Sequence, residues 1–283
     1  MQLLPAKPVS EKIRATVKTE AAQFAKLHGR KPKLVVVLVG EDPASVIYTA
    51  KKGEACESVG FAHETIRLSA DATPQEAKTV IDRLNADPAV DGILIQRPLP
   101  KTYREEDVSY WVTPAKDVDA FHPENVGRLS LGLSCLQPCT PTGVMEILEH
   151  AGVKLDGKTV CVVGRSSIVG KPMATLLMQK NATLLHCHSR TQNLETYTRQ
   201  ADVLVAAAGK PKLITEKHCK PGAVVIDVGI HRLPGGKVCG DVDAESVSRV
   251  ASALTPVPGG VGPMTITILL RNTLLAARSS TSD

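Results

Sequence analysis

Two kinds of pattern alternate along this chain: short runs of branched apolar residues, and longer stretches in which apolar positions recur every three or four residues. The second kind predicts helices over Val9 to His28, Pro43 to Val59 and Pro74 to Asn85. The first kind predicts a buried strand over Lys33 to Val39 and an apolar strand over Gly92 to Ile95, and a further strand is expected between them at Ala62 to Leu68. Continuous apolar strands joined through helices by short connections imply an α/β fold, with a parallel sheet covered by helices on both faces.

A Pro-, Gly- and Asp-rich passage from about 98 to 143 interrupts this rhythm and reads as the crossing between two domains. A helix over Gly143 to Ala151 follows. Strands then recur at Val160 to Val163, Ala182 to His186, Asp202 to Ala206 and Ala223 to Asp227, which makes the second half Rossmann-like. The glycines of Thr255 to Thr265 expose backbone amides, and Pro263 suits the first turn of a largely apolar, buried helix from Met264 to Ala277. The tail Arg278 to Asp283 is polar and reads as frayed. The division expected is therefore a first domain over 1–140, completed by the helix 264–277, and a Rossmann-like domain over 141–262. The chain shows no internal repeat and no low-complexity tract.

The most informative stretch runs from Val162 through Gly164, Arg165, Ser166 and Gly170 to Pro172, where an apolar strand enters a glycine-hinged turn and then a helix start. Compared with the dinucleotide fingerprint G-x-G-x-x-G, Ser166 replaces the second glycine and the last glycine comes one residue late. Small residues there still let backbone N–H groups and a helix N-terminus approach a pyrophosphate. A tight surface turn is the plainer reading of such a turn taken alone. The order strand, turn, helix, second strand favours a nucleotide site. At the end of the second strand, where a carboxylate would hold a ribose 2′-hydroxyl, stand Ser189, Arg190 and Thr191. Ser189 can donate to a phosphate, and Arg165 or Arg190 can clamp one, so the pocket favours NADP over NAD.

At 283 residues the chain exceeds one average domain. Its seven cysteines are odd in number, form no C-x-x-C pair and often lie in apolar runs, which reads as reduced core thiols in a cytoplasmic protein. No apolar run approaches membrane-spanning length and no targeting pattern opens the chain, so no membrane partner is expected. The net charge of +5 is diluted by interspersed acids and aromatic residues are scarce, which argues against a nucleic-acid surface and suits small anions. No metal site is expected: His186, Cys187 and His188 are strand neighbours that alternate faces and cannot converge on one ion.

In the first half, Tyr48 and Lys52 are four apart and share one helical face. A partly desolvated lysine can shuttle a proton, although an isolated Tyr/Lys pair of this spacing is more often a solvated surface pair. Gln96 stands at the carboxyl end of an apolar parallel strand, next to Ile95, where α/β sheets open their ligand crevices. Asp117 and Asp119 lie in one loop, where alternating acids are commonly turn formers or caps.

Taken together these segments resemble the bifunctional methylenetetrahydrofolate dehydrogenase/methenyltetrahydrofolate cyclohydrolase family, often called FolD. The resemblance rests on Tyr48 with Lys52, Gln96 to Pro100, Lys116 to Asp119, Asn125 to Leu129, Pro138 to Pro141, Gly164 to Ser166, and Pro256 to Thr265, in order over nearly the whole chain. It implies a homodimer of two-domain protomers in which tetrahydrofolate derivatives bind in the cleft between a catalytic first domain and an NADP-binding second domain. It further implies that Lys52 is the essential lysine, Gln96 its hydrogen-bonding partner, Tyr48 the wall of the aminobenzoyl subsite and Asp119 the carboxylate gripping the pterin edge. Ile95, Pro258, Gly259, Gly260 and Gly262 join these as substrate-binding residues. Gly164, Arg165, Ser166 and Ser189 become NADP contacts, with Ile230 at the nicotinamide side. Departures are Arg97 where many members carry Leu, Ala120 where many carry Gly, and Thr142 where Lys or Arg is frequent. Arg97 places a cation beside the cleft, within influence of the folate tail.

The implied chemistry is hydride transfer from the methylene bridge of 5,10-methylenetetrahydrofolate to NADP, followed by hydrolysis of the methenyl product to 10-formyltetrahydrofolate, with Lys52 moving protons in the second reaction. Two other readings share parts of this sequence. A dehydrogenase-only relative using NAD would keep the fold and most residues, and a non-catalytic dinucleotide-binding module would need no Tyr48, Lys52 and Gln96 constellation.

Overall fold

The computed structural model describes residues 1–281; of the tail expected to fray, Ser282 and Asp283 lie outside the described residues. Two compact units emerge, one of Lys12–Cys139 joined by the chain from Ile266, the other of Met1–Glu11 with Thr140–Thr265. The chain opens on β1 (Gln2–Leu3) and α1 (Lys7–His28).

In the 12–139 unit, β2 (Lys33–Val39), α2 (Pro43–Ser58), β3 (Ala62–Leu68), α3 (Pro74–Ala86) and β4 (Gly92–Ile95) follow in turn, and their strands pair in parallel in the order β3-β2-β4. The middle strand is buried from Leu34 to Val39, as its unbroken apolar run requires. α3 starts at a capping box between Thr73 and Glu76, and its buried Ala77, Ile81 and Leu84 form a stripe at helical spacing. Ile81 and Leu84 pack with Val35, Val37 and Ile93 of the sheet. Arg30 grips the buried Asp91 with two nitrogens at 2.7 and 2.8 Å, and Asp91 also accepts from the Lys33 amide at 2.8 Å, which pins the entries of β2 and β4 side by side.

The 98–143 passage is not a bare crossing. It contains α4 (Glu105–Val108) and α5 (Pro123–Ser130), and Tyr103 and Val108 are buried with Val39 and Ala77. The Tyr103 hydroxyl donates to the Ala72 carbonyl at 2.8 Å, so an aromatic anchor folds the passage onto the unit. The change of unit falls at Cys139 and Thr140, at the start of α6 (Cys139–His150). That helix begins before the expected Gly143 because Pro141, in its first turn, needs no hydrogen-bonded N–H there.

The 140–265 unit continues with β5 (Thr159–Val163), α7 (Gly170–Gln179), β6 (Thr183–Cys187), α8 (Leu194–Thr198), β7 (Val203–Ala206) and β8 (Val224–Asp227). A small antiparallel hairpin of β9 (His231–Arg232) and β10 (Val238–Cys239) follows, then α9 (Ala244–Val247) and β11 (Ala253–Leu254). The parallel sheet has the order β1-β11-β8-β7-β5-β6. The Met1–Glu11 segment, expected in the first domain, is grouped here because β1 pairs with β11, Gln2 opposite Ala253 and Leu3 opposite Leu254. Strand order reverses beside β5, where a doubly wound sheet opens a ligand crevice at its carboxyl edge. The last helix, α10 (Val261–Ser279), outruns the expected bounds at both ends, and Arg278, expected to fray, pairs with Glu20 at 2.9 Å.

Candidate functional site

In the 12–139 unit the chemistry gathers at the carboxyl ends of β2 and β4. Asp42 caps α2 by accepting from the Ser45 amide and hydroxyl, each at 2.8 Å, and this sets the helix so that Lys52 points inward. Lys52 is only 7% exposed, and its Nζ donates to Gln96 Oε1 at 2.7 Å. Gln96 is itself pinned: its amide group donates to the Arg97 carbonyl at 2.6 Å and its backbone N–H to Val37 at 2.9 Å. Burial lowers the Lys52 pKa from its ordinary value, and the charge of Asp119 opposes that fall. Tyr48, one turn earlier on the same face, is 37% exposed.

Asp117 and Asp119 divide their work. Asp117 is buried, accepts from the amides of Ala120 and His122 at 3.2 and 2.7 Å, and so holds the loop that carries Asp119. Burial pushes its carboxyl up to about 6, against the pull of the His122 amide, the Asn125 side chain and the Phe121 amide. Asp119 is raised too by burial, while the Lys52 ammonium and the Arg97 guanidinium pull it down. Ala120 adopts a left-handed φ of 60°, a conformation in which glycine is the less strained residue. Arg97 pairs with Glu105 and lies over the Phe121 ring at 5.4 Å, so its cation is committed beside Asp119 and not extended toward solvent. A cavity of about 20 Å³, lined by Arg97, Asp117, Asp119, Phe121 and His122 among others, has room for one water.

The glycine turn stands in the other unit. Gly164 leaves β5 at a φ of 136°, and a β-carbon there would run into the Ala207 carbonyl. A β-carbon on Gly170 would run into the Gly164 carbonyl, so the first turn of α7 packs directly on the turn. Ser166 has a use the sequence did not reveal: its Oγ accepts from the amides of Val169 and Gly170 at 3.2 and 3.3 Å, closing the turn that leads into α7 where the fingerprint would place a glycine. Arg165, Ser189 and Ile230 are exposed near the ends of β5, β6 and β8. Pro258, Gly259, Gly260 and Gly262 lie in this unit as well, with Gly259 at a φ of 99° and its carbonyl accepting from the Ala6 amide at 2.9 Å.

The structure therefore brings Tyr48, Lys52, Ile95, Gln96 and Asp119 into one unit, and Gly164, Arg165, Ser166, Ser189, Ile230 and the 258–262 turn into the other. Reading the residues alone missed several members. Cys139, counted only as a core thiol, donates to the Val118 carbonyl at 3.3 Å; burial, with the charge of Asp119, pushes it well above the ordinary thiol value. Asn272 holds the carbonyls of Val118 and Gln137 at 2.9 and 2.8 Å; a lone amide in an apolar helix was the available signal. No group of three or more possible ligands that could hold a metal ion occurs among the described residues, and no helix among them is long and apolar enough to cross a membrane.

Two family models match the chain. The tetrahydrofolate dehydrogenase/cyclohydrolase catalytic domain matches residues 4–119, and the NAD(P)-binding domain of the same description matches residues 138–281. A curated relative, the bifunctional protein FolD of Halalkalibacterium halodurans, is 52% identical over 276 residues, covering 98% of either chain. The crystal structure of the bifunctional enzyme FolD, a methylenetetrahydrofolate dehydrogenase/cyclohydrolase, from Campylobacter jejuni superposes with a TM-score of 0.96 at 46% identity, covering 99% of both chains. The dehydrogenase-cyclohydrolase of Trypanosoma brucei, solved with NADP cofactor and an inhibitor, gives a TM-score of 0.94 at 34% identity over 99% of this chain and 98% of that one.

Proposed function

The chain belongs to the tetrahydrofolate dehydrogenase/cyclohydrolase family, and from that premise we propose that it oxidises 5,10-methylenetetrahydrofolate to the 5,10-methenyl form with NADP and hydrolyses that product to 10-formyltetrahydrofolate. The observation that carries this reading is the buried Lys52 amine held at 2.7 Å by Gln96 in the field of Asp119. A module that only bound a dinucleotide would have no use for a desolvated lysine on its other unit.

The 140–265 unit fits a dinucleotide. Gly164 and Gly170 let the turn and the first turn of α7 pack closely, the arrangement in which a helix N-terminus meets a pyrophosphate, and no carboxylate stands from His188 to Asn193 to repel a 2′-phosphate. Gly164, Arg165, Ser166, Ser189 and Ile230 would hold NADP, which supplies the hydride acceptor when bound. In the 12–139 unit, Asp119 accepts N–H groups of the pterin edge and Tyr48 lies along the aminobenzoyl ring. Loss of hydride leaves a delocalised amidinium on the bridge carbon, a step that needs alignment more than a proton carrier. Water then adds to that carbon and the C–N5 bond breaks. Lys52 takes and returns the protons these events move, with Gln96 fixing its amine.

The test is a spectrophotometric assay of methenyl formation with NADP and then NAD, followed by methenyl decay. Dinucleotide binding without turnover would overturn the enzymatic reading, and equal use of NAD would move the chain toward the dehydrogenase-only relatives. One variant sharpens the cofactor assignment. Arg165→Ala is expected to raise the NADP KM roughly ten- to a hundredfold and leave the NAD KM nearly unchanged, since a charge-assisted hydrogen bond contributes about 1.5–3 kcal/mol. Equal losses for both dinucleotides would put the 2′-phosphate elsewhere, with Arg190 next in line. We further propose a homodimer, which light scattering of the purified chain tests, and a cytoplasmic location, which the seven free thiols support and fractionation tests.

A further inference from the structure

The loops that follow β7 and β8 leave the sheet at its carboxyl edge, and a buried polar cluster ties them together. Asp241 is 0% exposed; its Oδ2 accepts from the amides of Ala208 and Gly209 at 2.5 and 2.9 Å, and its Oδ1 accepts from His231 Nε2 at 2.7 Å. Asp227, at the end of β8, accepts from the amides of Gly229 and Asp241 on one oxygen, at 3.0 and 2.9 Å, and from Val242 on the other at 3.0 Å. The packing is tight: a β-carbon on Gly229 would run into Asp241, and one on Gly240 into Asp227. Among the described residues, every donor to these two carboxylates but one is a backbone amide fixed by the fold. The exception is His231, which directly follows Ile230, itself 53% exposed. With the carboxylate oxygen as acceptor, the bond assigns the shared hydrogen to Nε2.

We propose that His231 is a positioning residue for the dinucleotide side of the reaction: by donating to Asp241 it fixes the loop that presents Ile230 to the Ala207–Gly209 loop, and so orients the nicotinamide ring that Ile230 supports. The inference rests on the reading of this unit as the NADP site. Without the imidazole donor, Asp241 keeps its two amides but loses its side-chain tie to the loop that carries Ile230, which Asp227 and the β9–β10 pairing still hold at its two ends. Hydride transfer is sensitive to misplacement of about 1 Å, whereas hydrolysis of added methenyltetrahydrofolate needs no dinucleotide.

The experiment compares both activities of His231→Leu and His231→Gln with the parent protein, hydrolysis being measured without dinucleotide. His231→Leu should lower kcat for methenyl formation on the order of 10- to 100-fold, change the NADP KM less, and leave hydrolysis as it was. His231→Gln, whose Nε2 can donate to the same oxygen, should recover most of the rate. Parallel loss of both activities with a lowered Tm would make His231 merely structural and overturn the proposal, as would an unaffected His231→Leu or a His231→Gln no better than it. If His231→Leu does not fold, His231→Met, which also lacks a donor, serves: a loss confined to methenyl formation supports the proposal, and no loss or a parallel loss of both activities overturns it. A parent protein that hydrolyses methenyltetrahydrofolate but does not bind NADP overturns the function reading and this inference with it; parent turnover beside an unaffected variant overturns this inference alone.

Discussion

Lys52→Met is expected to bring methenyl hydrolysis close to background while methenyl formation falls much less. Methionine keeps the length and bulk of the side chain at a position that is only 7% exposed, so packing is largely preserved and the amine alone is lost. A general acid–base contributes roughly 10²–10⁴-fold, and hydrolysis needs one at both water addition and ring opening. A second effect runs through Asp119. Burial already raises that carboxyl and the Lys52 charge holds it down, so removing the ammonium moves it further up. Pterin recognition by an ionised carboxylate then weakens, and the folate KM should rise in both reactions, more at lower pH. Measuring kcat and KM for both reactions on one preparation of the variant separates these effects. Fast hydrolysis by Lys52→Met would remove the lysine from proton transfer and leave Asp119 or a water relay as the carrier.

The strands that place this lysine could be read from the sequence because their signal is dense. Lys33–Val39 and Gly92–Ile95 are apolar runs that end at polar or turn-forming residues, and their observed bounds, like those of the more polar Ala62–Leu68, coincide with the expected ones. Two-residue strands such as β1, β9, β10 and β11 are too short to show any period, so the grouping of the N-terminus with the Rossmann-like unit was illegible. The short helices α4 and α5 hid for the same reason inside a Pro- and Asp-rich passage. At the site, Lys52 and Gln96 were legible because a helix face and a strand end are local features. The pairing of Arg97 with Glu105 and Phe121, the role of Cys139 and the His231–Asp241 pair were not, since what defines each is a partner brought close only by the fold. Ser166 shows the limit from the other side: it sat in a recognised motif, yet its hydroxyl oxygen closes the turn ahead of a helix, a duty that depends on the turn's actual path.

Gly164→Ala should cost the protein more than any other single-methyl addition near the dinucleotide turn. At a φ of 136° the backbone lies where side chains are rarely tolerated, and the new methyl would occupy the space of the Ala207 carbonyl. Neither partner can easily retreat. Ala207 donates to Val163 at 2.8 Å, Gly164 donates to Cys187 at 2.9 Å, and His186 Nε2 bonds the Gly164 carbonyl at 2.7 Å, so both loops are sewn to the sheet. Overpacking of this kind costs about 1–3 kcal/mol, and the backbone strain adds to it. A fall in Tm of at least roughly 4 °C follows for a unit of this size. The NADP affinity should fall further than stability alone implies, because the displaced backbone is the same backbone that approaches the pyrophosphate. Calorimetry and NADP titration of the variant read the two effects separately. Hydrolysis of added methenyltetrahydrofolate below the new Tm should persist, since Lys52, Gln96 and Asp119 belong to the other unit. An unchanged Tm with undiminished NADP binding would mean that the turn has slack the close approach to Ala207 does not permit, and the assignment of Gly164 to the cofactor site would fall with it.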